Sequence, residues 1–335
     1  MVKANIKQIT PEIGLPGGIV NISGKGFTPW EIKNEDIDFC GKEPWIDGVS
    51  ETNIITTIPV KIETGNISIK LNGGVSNKIG FYVPDTIAVG LHLVDNPVCD
   101  HDGNIYATYS GSRGESTHVS LYKISPFGEK TVYLKGLTNA TSLAIDKKGD
   151  LFISSRFNGK VYKSSEEQEY TLYSQGLGVA FGLAFNSAND LYAGDRSGSI
   201  FKISENGIAE FFASIPQSYI SFHLAFDSKD RLYVSNPTHI GENFIFRVLP
   251  DGKVEQFHSG YSMFHGFCFD SKDNMYITEV KRNESRIIKL DIETGEWEVL
   301  ITGSNFIGAN FDNNDNLLIS SSNAIYRVNK DIIKN

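Results

Sequence analysis

Apolar and polar residues alternate with a period of two in short runs along most of the chain, and the runs are separated by Gly-rich or Asp/Asn-rich turns. No stretch shows the three-to-four spacing of an amphipathic helix, so the pattern predicts an all-β protein. One unit recurs: an apolar strand ending in Asp or Asn, a polar turn, then a second strand of the Leu-Tyr-Val type. Aligned on the last residue of the first strand, the copies fall at Asp100, Asp146, Asn186, Asp227, Asp270 and Asp312, at intervals of 46, 40, 41, 43 and 42 residues. A third strand follows each pair, as in Ile200-Phe201-Lys202-Ile203, and then a fourth, as in Ala209-Glu210-Phe211-Phe212-Ala213. Four strands in roughly 40 residues make one β-propeller blade.

Six copies predict six blades over residues 86–335. The last copy ends after its third strand, near Val328, while Thr86–Leu91 reads as an orphan fourth strand ahead of the first copy. That strand is expected to complete the final blade and so remove an open edge. Residues 1–85 carry five short β-rich runs between glycine turns, which suits a small immunoglobulin-like β-sandwich. The words Ile9-Thr10-Pro11, Gly17-Gly18-Ile19-Val20-Asn21-Ile22-Ser23-Gly24 and Gly26-Phe27 resemble the IPT/TIG domains. The resemblance implies a docking or dimerisation module.

Composition narrows the function. A net charge of -9 without any basic run argues against a nucleic-acid partner. No basic stretch leads into an apolar segment and no apolar run is long enough for a membrane span, so the expected setting is cytoplasmic with no membrane partner. Cys40, Cys99 and Cys268 are too scattered for a disulfide framework or a metal knuckle and are read as buried free thiols. Nucleophile-elbow, Walker, dinucleotide and His-Glu-x-x-His words are missing, which removes support for serine-hydrolase, nucleotide and zincin readings.

In a propeller, the loops that enter the first strands and leave the second strands share one rim of the central channel. Five residues before each anchor stand Asp95, Thr141, Phe181, Phe222, His265 and Ile307; nine residues after stand Tyr109, Ser155, Asp195, Asn236, Glu279 and Ser321. The fifth copy alone joins a histidine at the first of these positions to a carboxylate at the second. His223 lies one residue off the register of His265, so both face the axis only where a bulge absorbs the slip. The remaining histidines, His92, His101, His118, His239 and His258, fall in loops or outer positions.

The words Gly182-Leu183-Ala184-Phe185, Leu191-Tyr192-Ala193 and Ile200-Phe201-Lys202-Ile203 resemble the gluconolactonase and senescence-marker family and, more loosely, NHL and streptogramin-lyase propellers. The first resemblance implies a divalent cation at the channel mouth, with Asp95-Asn96-Pro97 standing for the family's Glu-Gly-Pro word. The second implies two histidines and a Glu ending a second strand, here His223, His265 and Glu279, with Mg²⁺. The expectation is therefore a metal-assisted enzyme acting on an ester, lactone or related small molecule, by hydrolysis or elimination. His265, His223 and Glu279 would be catalytic, and Asp95, Glu279, His223 and Asp195 would hold the metal. Mg²⁺ or Ca²⁺ is the expected ion, with Zn²⁺ or Mn²⁺ as alternatives. Tyr109, Ser155, Arg156, Arg196, Asn236 and Ser321 would line the substrate site. The rival expectation is a non-catalytic, NHL-like propeller that binds a ligand or a protein.

Overall fold

The computed structural model describes residues 3–71, 73–164, 167–218, 222–238, 241–281 and 284–333; His239 lies outside them. Apart from a 3-10 turn at Asn34–Asp36 and a four-residue helix at Lys330–Ile333, the regular elements among the described residues are strands. No helix among them is long and apolar enough to cross a membrane.

The chain divides into two compact units, one of residues 1–85 with 280–289 and 297–306, the other of residues 86–279 with 290–296 and 307–335. In the first, strands Asn5–Thr10, Ile19–Lys25, Asn53–Thr57 and Trp45–Val49 form a sheet in that order; Ile37–Phe39, Gly65–Leu71 and Gly74–Val75 form another. The period-two pattern points Ile6, Ile9, Val20, Ile22 and Ile54 of one sheet and Ile37, Phe39, Ile67 and Ile69 of the other into a single core. Each such buried side chain contributes about 1.5–3 kcal/mol relative to exposure. The short strand Ile13–Gly14 pairs in parallel with Trp297–Gly303, Ile13 opposite Ile301 and Gly14 opposite Thr302.

Most of the second unit is built of four-stranded sheets in simple meander order, while Met263–Phe269 and Asn274–Lys281 lie in a five-stranded sheet. Ala140–Ile145, Leu151–Ser155, Lys160–Ser164 and Thr171–Ser174 make one; Ala180–Phe185, Leu191–Asp195, Ser199–Ile203 and Ala209–Ser214 make the next. His223–Phe226 through Val254–Gly260 and Val98–Cys99 through Lys130–Leu134 repeat the arrangement. The last sheet runs Asp85–Val89, Ala324–Val328, Leu317–Ser321, Phe306–Phe311, so the strand ahead of the first copy lies beside the final strand of the chain.

The anchors explain why each copy folds alike. Asp100 Oδ1 accepts from the N–H groups of Asp102 and Asn104 (3.0 and 2.8 Å), and Oδ2 from Asn104 Nδ2 and the Tyr106 hydroxyl (2.8 and 3.0 Å). Asp270 does the same with Lys272, Asn274 and Tyr276, and Asp312 with Asn314 and Asn316. The turn needs a left-handed residue three places after the anchor, and Gly103, Gly149, Asn189, Asp230, Asp273 and Asp315 supply it with φ between 55° and 88°. Glycine, Asn and Asp are the residues that tolerate that conformation. The conserved-looking carboxylates of the repeat are thus turn staples.

The three thiols are free, but only Cys268 is buried; Cys40, just after the strand Ile37–Phe39, and Cys99, at the end of Val98–Cys99, are partly exposed. Burial nevertheless pushes Cys40 up to about 11 and Cys99 up to about 12.

Candidate functional site

Asp95 and His223 come from the first and fourth copies of the repeat, 128 residues apart, and meet through Asp95 Oδ1 and His223 Nδ1. Both are buried, at 6% and 1% exposure. A carboxylate accepts only, so Nδ1 is the protonated ring nitrogen and the tautomer of a neutral His223 is set by its partner. The Asn96 backbone N–H donates to the same oxygen at 2.7 Å. A charge in such a place persists only when paired and hydrogen-bonded, as this one is.

His265, on Met263–Phe269, is partly exposed, and its ring centroid lies 6.0 Å from that of His223, with the planes tilted by 58°. The one-residue register difference between the two histidines does not keep them apart. In the sheets of the second and third copies the register shifts at this point, between Ala140 and Leu143 and between Ala180 and Leu183. His223 itself pairs with Ser235 in regular register. Asp95, His223 and His265 therefore form a line from a buried carboxylate to an accessible imidazole.

Glu279 is buried near the end of Asn274–Lys281, and its charge acts on His258. Burial pulls the His258 imidazole below its usual range, an effect the Glu279 carboxylate partly offsets. His258 packs against Phe264 with ring centroids 5.3 Å apart.

The other expected residues are bonded mostly to backbone groups of adjoining loops. Asp195 Oδ1 accepts from Val179 N–H at 2.8 Å and Oδ2 from the Ser197 hydroxyl. Ser155 donates to the Thr138 carbonyl at 2.8 Å, and Ser321 Oγ accepts from Ala324 N–H at 3.0 Å. Asn236 donates to the Pro216 carbonyl at 2.9 Å while its buried Oδ1 has no partner among the described residues. Arg156 donates from Nη2 to the Gly111 carbonyl at 2.9 Å, and its buried Nε has none. Burial, and next to it the charge of Arg113, lower the Arg156 pKa. Tyr109 lies 6.0 Å, ring to ring, from His92, and the Arg196 backbone N–H donates to Val179. Buried hydroxyls of Ser110 and Thr278, one residue from positions in the second ring, also lack partners; such orphan atoms mark a polar interior. Spacing alone did not single these two out, because their hydroxyls look like ordinary strand-end residues.

Among the described residues, no group of three or more His, Cys, Asp or Glu is arranged to hold a metal ion. Of the four expected ligands, Asp95 is in contact with His223, and Asp195 is bonded to the Val179 N–H and the Ser197 hydroxyl. A cavity of about 910 Å³ in the first unit, lined by interleaved acids and lysines including Asp38, Lys42, Lys70 and Lys78, contains none of the expected site residues.

No protein-family model matches the chain, and no curated protein matches it. Solved structures do. A Bacteroides thetaiotaomicron VPI-5482 protein of unknown function superposes with a TM-score of 0.59 at 14% identity, over 97% of both chains. An auxiliary nutrient binding protein from Bacteroides ovatus ATCC 8483 gives 0.55 at 11% identity, over 98% of both. A catalytically inactive variant of virginiamycin B lyase from Staphylococcus aureus with quinupristin, in which a histidine is replaced by alanine, gives 0.53 at 16% identity, over 88% of this chain and 96% of that one. At these identities the likeness is one of fold, and the fold is a β-propeller. Lyases and proteins named for ligand binding share it.

Proposed function

We propose that residues 86–335 form a six-bladed propeller of the gluconolactonase-like kind, which performs acid–base chemistry on an ester, lactone or related small molecule. The observation that carries this reading is the line Asp95, His223, His265, with only its outer member open to a reactant. His265 is the proton acceptor. In hydrolysis it takes a proton from water as the oxygen attacks the carbonyl carbon, then returns it to the departing alkoxide. In elimination it takes a proton from a carbon next to a carbonyl, the electron pair forms a carbon–carbon double bond, and the alkyl carbon–oxygen bond of the ester breaks to release its carboxylate. The imidazolium formed in either case lies beside His223, whose buried partner carboxylate offsets the added positive charge.

The four expected metal ligands do not form a donor set among the described residues, and no step is drawn through a cation. The N-terminal sandwich is read as an IPT/TIG-like docking or dimerisation module. That the nutrient binding protein spans both chains almost completely, while the lyase spans less of this one, favours a second reading: a propeller that binds a small molecule without turning it over.

The test is a panel of γ- and δ-lactones, aryl esters and cyclic depsipeptides, followed by mass spectrometry. A product heavier by one water marks hydrolysis; a ring-opened product of unchanged mass marks elimination. Turnover abolished in His265→Ala supports the catalytic reading, and turnover undiminished in that variant refutes it. Compounds that raise the melting temperature but emerge unchanged establish the binding reading.

A further inference from the structure

The segment carrying Asp95 makes a two-residue inner strand, Val98–Cys99, where the second and third copies have six-residue strands, Ala140–Ile145 and Ala180–Phe185. Something other than a strand ladder must hold Asp95 in place. Asn96 does so with both ends of its amide: Nδ2 donates to the Phe267 carbonyl at 3.0 Å, and Oδ1 accepts from Ala309 N–H at 3.2 Å. Next to it, Asn310 Nδ2 donates to the Pro97 carbonyl at 2.8 Å.

The amide lies over two glycines four residues before their anchors, Gly266 and Gly308. A Cβ on Gly266 would stand 2.0 Å from Asn96 Oδ1, and one on Gly308 would stand 2.1 Å from it. Neither glycine has a positive φ, so space and not backbone conformation calls for glycine at both. Only an amide fits the pair of partners: a carboxylate would set an oxygen against the Phe267 carbonyl, and a smaller residue would lose both bonds. Gly266 directly follows His265, and the Asn96 N–H reaches the Asp95 oxygen that meets His223.

We infer that Asn96 is a positioning residue, whose side chain, seated over Gly266 and Gly308, sets Asp95 against His223 and registers both to the strand bearing His265. The inference concerns the assembly of the pair and stands whether the site catalyses or only binds. Its readout therefore requires no substrate.

Histidine-labelled protein is studied by long-range ¹H–¹⁵N correlation, with the His223 ring assigned from His223→Gln. Asp95→Asn defines the spectrum of a ring that has lost its carboxylate partner. In Asn96→Ala the His223 ring signals are expected to move most of the way to those of Asp95→Asn. A lowered melting temperature with the parental His223 spectrum would reduce Asn96 to a structural residue and overturn the inference. Should Asn96→Ala fail to fold, Gly308→Ala evicts the side chain without touching Asp95 or His223 and is expected to shift the same signals; an unchanged spectrum there is equally fatal. In the double variant the Gly308 methyl no longer meets Oδ1, its nearest remaining neighbour among the Asn96 atoms being Cα at 3.0 Å. The loss in melting temperature should then be smaller than the sum of the single losses, and strict additivity would overturn the seat.

Discussion

The two ends of the same inner strands use the same chemical groups in opposite ways. At the anchor end, Asp100, Asp227, Asp270 and Asp312 each accept hydrogen bonds from backbone and side-chain groups two to six residues further along, and Asp312 adds an ion pair with Arg327 at 3.2 Å, so every one is held within its own copy of the repeat. At the ring end, Asp95 reaches across 128 residues to a histidine of another copy. A carboxylate bonded to its own turn stabilises a repeat, whereas one bonded to a distant imidazole gives the repeats a shared centre. Burial does not separate the two classes, since Asp95, Asp227 and Asp312 are all buried.

The largest test of that contrast is at the ring end. Under the catalytic reading, His265→Ala and Asp95→Asn should each lower kcat/KM by about 10²–10⁴-fold, the usual reach of a positioned acid–base group. Urea midpoints of these variants should change less than that of an anchor variant. Equal activity loss from an anchor variant that remains folded would erase the distinction.

The next effect is at the anchor end. Asp227→Ala takes the acceptor from the Lys229 and Arg231 N–H groups and from Arg231 Nε, the last bonded to Asp227 Oδ2 at 2.5 Å, while Arg231 Nη2 keeps Glu293 at 3.1 Å. The expected cost is about 3 kcal/mol in urea unfolding, with kcat/KM unchanged at temperatures where the protein is folded. Asp195 sharpens the comparison, because it occupies a ring position but is bonded, as the anchors are, within its own copy of the repeat, to Val179 and Ser197. Asp195→Asn should cost about 1 kcal/mol and leave activity within a factor of about two. A hundredfold activity loss there would show that ring position outweighs local bonding.

What was legible in the sequence follows the same division. Anchors, turns and the orphan strand at residues 86–91 could be read because their partners are local or fall at a fixed repeat interval. The Asp95 and His223 contact could not, since it depends on how copies one and four come together. Spacing puts Asp95 and Asp195 alike on the rim; each accepts a backbone N–H, and the difference lies in the remaining partner, the His223 imidazole for Asp95 and the Ser197 hydroxyl for Asp195. Asn96 stands in the word Asp95-Asn96-Pro97, yet its role depends on two glycines, Gly266 and Gly308, whose approach to its amide only the fold creates. The slip between His223 and His265 was visible, and its resolution required the strand register.

A smaller effect concerns divalent ions. Without a three-donor group among the described residues, Mg²⁺, Ca²⁺, Mn²⁺ or Zn²⁺ at millimolar concentration should leave the melting temperature within about 1 °C. A rise of several degrees that disappears in Asp95→Asn would restore a metal to the ring end.

The smallest effect links Glu279 to stability through His258. Burial holds the His258 pKa below its ordinary value of 6.5, so between that value and its lowered one the unfolded chain binds a proton that the fold excludes. Stability is therefore fully present above about pH 6.5 and is lost as pH falls through this window. His258→Phe, which keeps an aromatic ring against Phe264, should flatten that part of the melting temperature against pH; the titrating carboxylates are common to both proteins and cancel in the difference. Glu279→Gln should act in the opposite sense. It removes the charge that favours the imidazolium, lowers the His258 pKa further, and makes the loss on acidification below pH 6.5 larger than in the parent. A smaller loss in Glu279→Gln would mean that the carboxylate at the ring end does not act on the histidine behind it.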